Sequence, residues 1–227
     1  GSGERGEDVT LNAKMVANIP LRLNLPVDCH VRGEVVMPLD VFETKYKDVS
    51  PNPRNLCSGA LRQKHGDGKA KASDLVFCAY DVKFVSNPPP MLNDSDLLDY
   101  LQNSIGIEPA PWRVFESKPL HAEMIDYTLE WSQKRSSYDY EIDGIVFKLD
   151  NLEQRERLGS TAHHPRWALA WKFPPEEATS VLLDVTWQTG RTGAVTPVAR
   201  IAPQSVGGVT VEHTTLHNVG EVERLDI

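Results

Sequence analysis

Two lysines set 24 positions apart, Lys148 and Lys172, are the residues best placed by type and spacing to do chemistry. Each sits in a run that alternates like a strand: residues 145–149 put Ile145, Phe147 and Leu149 on one face and Val146 and Lys148 on the other. In residues 167–173, Trp167, Leu169, Trp171 and Phe173 share a face, while Ala168, Ala170 and Lys172 take the opposite one. Each strand therefore delivers one ammonium among small or apolar neighbours. Two neighbouring strands of this kind would bring both charges over one anion. The plainer alternative is that both lysines lie on a solvated sheet face.

The elements around them follow from local signals. Residues 152–158 form a short charged helical stretch, with Gly159 placed to close it. Upstream, residues 27–37 alternate as a strand that carries Glu34 beside Arg32, and Pro38 opens a helix to about residue 45. Residues 52–63 lead from a loop into a helix carrying Arg54 and Arg62, about two turns apart. A capped helix over 10–17, a buried strand over 75–85, helices over 95–105 and 123–134 and a short strand over 112–115 complete the scaffold. Pro174 and Pro175 mark a domain boundary. Beyond it, strand-like runs over 181–189, 194–202 and 209–213, with Gly190, Gly193 and Gly207 between them, predict the start of an antiparallel barrel.

Composition bounds the rest. With 40% hydrophobic and 25% charged residues in 227, the chain has the makeup of a soluble globular protein. It shows no apolar run near the roughly 20 residues of a membrane span and no signal peptide, so a cytoplasmic location without membrane contact is expected. Cys29, Cys57 and Cys78 lack a CxxC pairing and read as buried free thiols. A net charge of -8 argues against nucleic acid unless the positive charge is gathered on one face, with the acidic excess in peripheral helices over 94–99 and 123–130.

The strings DGIVFK and WALAWKF, with VRGEVVMP, NPRN and GRTGAVTPVA in order before and after them, resemble the NAD-dependent bacterial DNA ligases. The resemblance implies an α+β nucleotidyltransferase (ATP-grasp-like) domain of antiparallel sheets flanked by helices over 1–175, lacking its N-terminal part, and an incomplete OB-fold over 176–227. It implies catalytic roles for Lys148, Lys172 and Asp143, and contacts to the AMP moiety of NAD from Glu34, Lys148, Lys172, Arg54 and Arg62. Glu34 would meet the ribose; its alternative is a partner for Arg32. Arg54, Arg62 and Arg191 would contact nicked double-stranded DNA, the two former having solvated helix charges as their alternative. Asp143 would orient Lys148 or a metal-bound water, although an aspartate before Gly144 also suits a tight turn. Mg2+ would assist, the family's zinc is not expected in this stretch, and the chain would be a monomer serving DNA replication and repair.

One departure matters. The family attacks with a lysine in a KxDG motif, and the 227 residues contain no such string; EIDG over 141–144 has Glu141 where the lysine stands. Self-adenylation by this chain alone is therefore not expected, and a noncatalytic nucleotide- or DNA-binding module is the alternative.

Overall fold

Alternation of small or apolar with polar residues from Cys29 to Val36 produces strand β1 (Cys29–Val36) in the computed structural model, which describes residues 6–64, 66, 68–116, 120–162, 164–175, 177–207 and 209–227. The chain divides into two compact units, Gly1–Phe173 and Pro174–Ile227. In the first, helix α1 (Thr10–Ala13) stops well short of residue 17. Asp8 Oδ1 accepts from the Thr10 amide and hydroxyl at 2.9 and 2.6 Å, which starts the turn. Beyond it Val16 is buried and the Ala17 amide donates to the Leu75 carbonyl, so a tertiary contact overrides the helical periodicity.

Helix α2 (Leu39–Lys45) and helix α3 (Pro53–Arg62) follow. Asn52 caps α3 by accepting from the Asn55 amide at 3.0 Å, and Pro53 fits its first position because no helical partner is needed there. Phe42, Tyr46, Leu56, Cys57 and Ala60 bury against Met37 and Leu75 as one core cluster.

Strand β2 (Val76–Phe84) pairs antiparallel with β1. The register slips where Arg32 faces Asp81 but Gly33 faces Ala79, so Tyr80 has no opposite residue. That is a β-bulge. A Cβ at Gly33 would lie 2.5 Å from the Cys78 carbonyl and from the Phe77 ring, so only glycine fits. Instead of being buried throughout, β2 is two-sided: Ala79 and Val82 join Leu101, Ile105 and Ile107 in a second core, while Tyr80 is exposed.

Helix α4 (Asp94–Tyr100) runs into a π-helical turn (Leu101–Ile105) that closes on Gly106 at φ 87°. Residues 112–115 form no strand; Pro109 and Pro111 precede them, and proline cannot donate to a ladder. Helix α5 (Leu120–Lys134) stacks Tyr127 on Phe115, which in turn meets Phe147.

Strand β3 (Gly144–Lys148), helix α6 (Leu152–Leu158) and strand β4 (Ala168–Lys172) match the expected order, and β3 pairs antiparallel with β4. Gly159 closes α6 at φ 63°, where glycine avoids strain. A Cβ at Gly144 would lie 2.4 Å from the Trp171 carbonyl, so the close approach of the two strands fixes that glycine.

The second unit carries strands β5 (Leu182–Thr189), β6 (Val195–Val206) and β7 (Val209–Thr215), then helix α7 (Val219–Leu225), capped by Asn218. The strands form an antiparallel sheet in the order β5-β6-β7, which does not close on itself. Residues 1–5, the opening of the glycine-rich start, lie outside the described residues.

Candidate functional site

The β3–β4 register decides where the two lysines stand. Lys148 lies opposite Ala168, and Lys172 opposite Gly144, with Val146 and Ala170 paired between them. Both lysines are thus on one face, but at opposite ends of the ladder, about 13 Å apart along the strand at 3.3 Å per residue. They do not converge on a shared cavity, as the alternation alone suggested. Each instead has its own ion cluster.

At one end, Lys172 Nζ lies 3.0 Å from Asp143 Oδ2, and Arg54 Nη2 reaches the same oxygen at 3.8 Å. The Asn52 cap and Pro53 set the first turn of α3, which places Arg54 there. All three side chains are well exposed, so each pair is worth at most about 1 kcal/mol. The hydrogen bond from Lys172, helped by the Arg54 charge, holds the Asp143 carboxyl below its ordinary range. Asp143 therefore serves Lys172, and not Lys148 as the sequence allowed.

At the other end, Lys148 Nζ donates to the Tyr80 carbonyl at 2.5 Å and to Asp94 Oδ2 at 3.2 Å. Arg155 Nη2 lies 2.8 Å from that same carboxylate oxygen, at ion-pair distance but without the alignment of a hydrogen bond. Its guanidinium stacks 4.4 Å from the Trp167 ring centroid, and its Nε donates to the Leu149 carbonyl. The side chains of Lys148, Asp94 and Arg155 are only 20%, 9% and 7% exposed. This is a buried cluster, where charge interactions are less screened.

Glu34 is exposed on β1, opposite Cys78, and makes no ion pair among the described residues. Arg32, its possible partner, turns to Asp81 at 3.7 Å. Cys57 is buried and donates to the Val35 carbonyl at 3.1 Å; burial, with the Glu34 charge second, pushes its thiol up to about 11, so it is no nucleophile at neutral pH. Cys29 and Cys78 are half-buried, not buried, and all three are free. Arg62 parts company with Arg54: it donates to Ser58 Oγ and lies 3.9 Å from Glu7. In the second unit, Arg191 lies in the β5–β6 hairpin, where the Gly190 amide donates to the Ala194 carbonyl at 2.8 Å.

Sequence reasoning missed Asp94, Arg155 and the Tyr80 carbonyl. Asp94 was expected in a peripheral acidic helix but is buried. The one available signal was spacing: Arg155 stands three residues after Leu152 and three before Leu158, on the stripe a helix turns inward. Elsewhere, a cleft of about 830 Å³ is walled by Asp40, Cys78, Glu108, Trp112, Tyr138 and Tyr140. Neither Lys148 nor Lys172 lines it, and its lining lacks the cations that phosphate chemistry requires, so the ion clusters are the better candidate site.

Among the described residues no helix is long and apolar enough to cross a membrane, and no group of three metal-ligating side chains converges. Residues 1–176 match the family model of the NAD-dependent DNA ligase adenylation domain, and residues 179–227 that of the NAD-dependent DNA ligase OB-fold domain. Over its full length the chain is 40% identical to a DNA ligase of Hahella chejuensis, 43% to one of Saccharophagus degradans and 41% to one of Halalkalibacterium halodurans. It spans about a third of the length of these curated relatives, 34%, 35% and 34% respectively. With mixed helices and antiparallel sheets in the first unit and an unclosed antiparallel sheet in the second, the chain belongs to the NAD-dependent DNA ligase family, spanning adenylation-domain and OB-fold sequence.

Proposed function

We propose that this chain supplies the nucleotide-holding face of an NAD-dependent DNA ligase, which moves AMP from NAD to an enzyme lysine, then to a DNA 5'-phosphate, and releases it as the nick is sealed in replication and repair. The observation that carries this reading is the single face of β3–β4 bearing Lys148 and Lys172 at its ends, within a chain matched along its length by the two ligase family models. Negative charge develops at phosphorus in each step, and fixed cations stabilise it; removing one such contact typically costs on the order of 3 kcal/mol of barrier. Lys148 and Lys172 approach the nucleotide's phosphates from the two ends of this face, Glu34 acts on the ribose, and Arg54 and Arg62 on the nucleotide or the DNA backbone. Val146 and Ala170, small and exposed between the lysines, leave room for the nucleotide to lie along the strands.

Mg2+ is usually bound by one or two carboxylates together with substrate phosphates; Asp143 Oδ2 already faces Lys172 and Arg54, so the ion would come with the nucleotide's phosphates. When bound, the ion would neutralise phosphate charge. Arg191, exposed in its hairpin, joins Arg54 and Arg62 as a contact to nicked duplex DNA.

The absence of a KxDG string, with Glu141 in place of the lysine in EIDG, favours a second reading: a module that binds nucleotide or DNA without reacting. Both readings expect no self-adenylation by this chain. Incubation with adenylate-labelled NAD and Mg2+ should leave it unlabelled, while calorimetry should detect AMP binding that Lys148→Ala or Lys172→Ala weakens about tenfold, the loss of one charge-assisted contact. A stable protein-AMP adduct would contradict the missing nucleophile. AMP affinity unchanged in both variants would remove the nucleotide site.

A further inference from the structure

Two cations meet one carboxylate at the Lys148 end of β3, since Lys148 and Arg155 both approach Asp94 Oδ2. Asp94 is held firmly for this. Its amide donates to the Asp150 carbonyl at 2.8 Å, and the Leu152 amide donates to the Leu92 carbonyl at 2.8 Å, which pins the start of α4 to the turn after β3. The Asp150 carboxylate is turned to Ser95, accepting from its amide at 2.8 Å and its hydroxyl at 2.9 Å.

A lone Lys148–Asp94 pair would be neutral, and its ammonium would have little left to offer an anion. Arg155 changes that sum, because guanidinium cannot be deprotonated in a protein and its place is fixed by the Trp167 ring and the Leu149 carbonyl. The cluster then holds two positive charges and one negative. A lysine ammonium has three N–H donors. Tyr80 and Asp94 take two, and one remains.

We propose that Asp94 and Arg155 are a positioning pair for Lys148: Asp94, with the Tyr80 carbonyl, fixes the ammonium, and Arg155 offsets the Asp94 charge so that Lys148 presents a positive charge to a nucleotide phosphate. This inference rests on the reading of Lys148 as a nucleotide ligand. It concerns residues that were no part of that reading.

The test is calorimetric titration of the 227-residue chain with AMP at low salt, for Lys148→Ala, Asp94→Asn, Arg155→Gln, Arg155→Lys and the double variant Asp94→Asn/Arg155→Gln. Arg155→Gln should weaken AMP about tenfold, as for one charge-assisted contact. Arg155→Lys, which keeps the charge, should lose less. The double variant restores one net positive charge and should return to within about threefold of the unmodified chain, since charge compensation makes the two changes non-additive. A pair with a merely structural role would make the double variant as weak as Arg155→Gln or weaker. That outcome overturns the inference, and the nucleotide site survives it as long as Lys148→Ala still weakens AMP. If Lys148→Ala has no effect, the reading of Lys148 as a nucleotide ligand and the inference fall together. Should circular dichroism show Arg155→Gln unfolded, the Arg155 Nε–H resonance of the unmodified chain decides: it should move on saturation with AMP, and a signal that stays put overturns the coupling.

Discussion

Tyr80, the residue left without an opposite number at the β1–β2 bulge, gives its carbonyl to Lys148 Nζ at 2.5 Å. The irregularity in one ladder thus anchors the cation of another. Because the bulge depends on the close approach at Gly33, the anchor is traceable to a residue with no side chain at all.

Gly33→Ala should therefore damage more than its own strand. Its Cβ would meet backbone and an aromatic ring, and overpacking of that kind costs about 1–3 kcal/mol. Urea unfolding should show a loss in this range, accompanied by weaker AMP binding as the Tyr80 carbonyl shifts. Stability within a few tenths of the unmodified chain would mean that the bulge absorbs the methyl group.

Asp74 predicts an acid limb. Hydrogen bonds from Lys45 at 2.8 Å and from the Tyr46 hydroxyl at 2.5 Å hold its carboxyl below the ordinary value of 3.8. A carboxyl depressed in the folded state contributes stability that is fully present above its unfolded pKa and fades as pH falls through the folded one. Denaturant midpoints measured from pH 7 down to pH 2 should converge for the unmodified chain and Asp74→Asn at the acid end and diverge above about pH 4. Parallel curves would deny Asp74 this role.

Trp167 backs the buried guanidinium. Desolvated cation–π contacts reach about 2 kcal/mol, so Trp167→Leu should lower stability by at least that much once lost packing is added, and should leave the Arg155 side chain more exposed. Chemical unfolding together with Arg155 Nε–H exchange rates measures both. Faster exchange is the expected sign.

If Arg191 touches a DNA phosphate, Arg191→Ala should weaken nicked-duplex binding on every sequence and reduce the salt slope by about one. Fluorescence anisotropy across a salt series reports it. An unaltered slope would exclude Arg191 from the DNA backbone.

Much of this fold is legible from the chain because its signals are local. Residues 152–158 with Gly159 behind them form the expected α6, and the alternation around Lys148 and Lys172 gives β3 and β4 within a residue at each end. Long-range register is different. Alternation shows which side of a strand a lysine occupies, and both lysines do share a side, but only pairing shows that Lys148 faces Ala168 and Lys172 faces Gly144, which sets them apart. Asp94 was hidden for a related reason: an aspartate opening a helix is ordinarily a solvated end charge, and nothing nearby in sequence announces a lysine 54 positions on. Leu169 shows the limit from the other side, since alternation assigns it inward and it remains exposed.

The Arg54–Asp143–Lys172 arrangement has a consequence for how an anion would arrive. Two cations from separate elements, α3 and β4, are already gathered around a single oxygen, and all three side chains open to water. If a phosphate binds there, Asp143 would act as a placeholder: the phosphate would inherit a preassembled pair of positive groups and need only displace a weakly held carboxylate, not recruit either cation from solution.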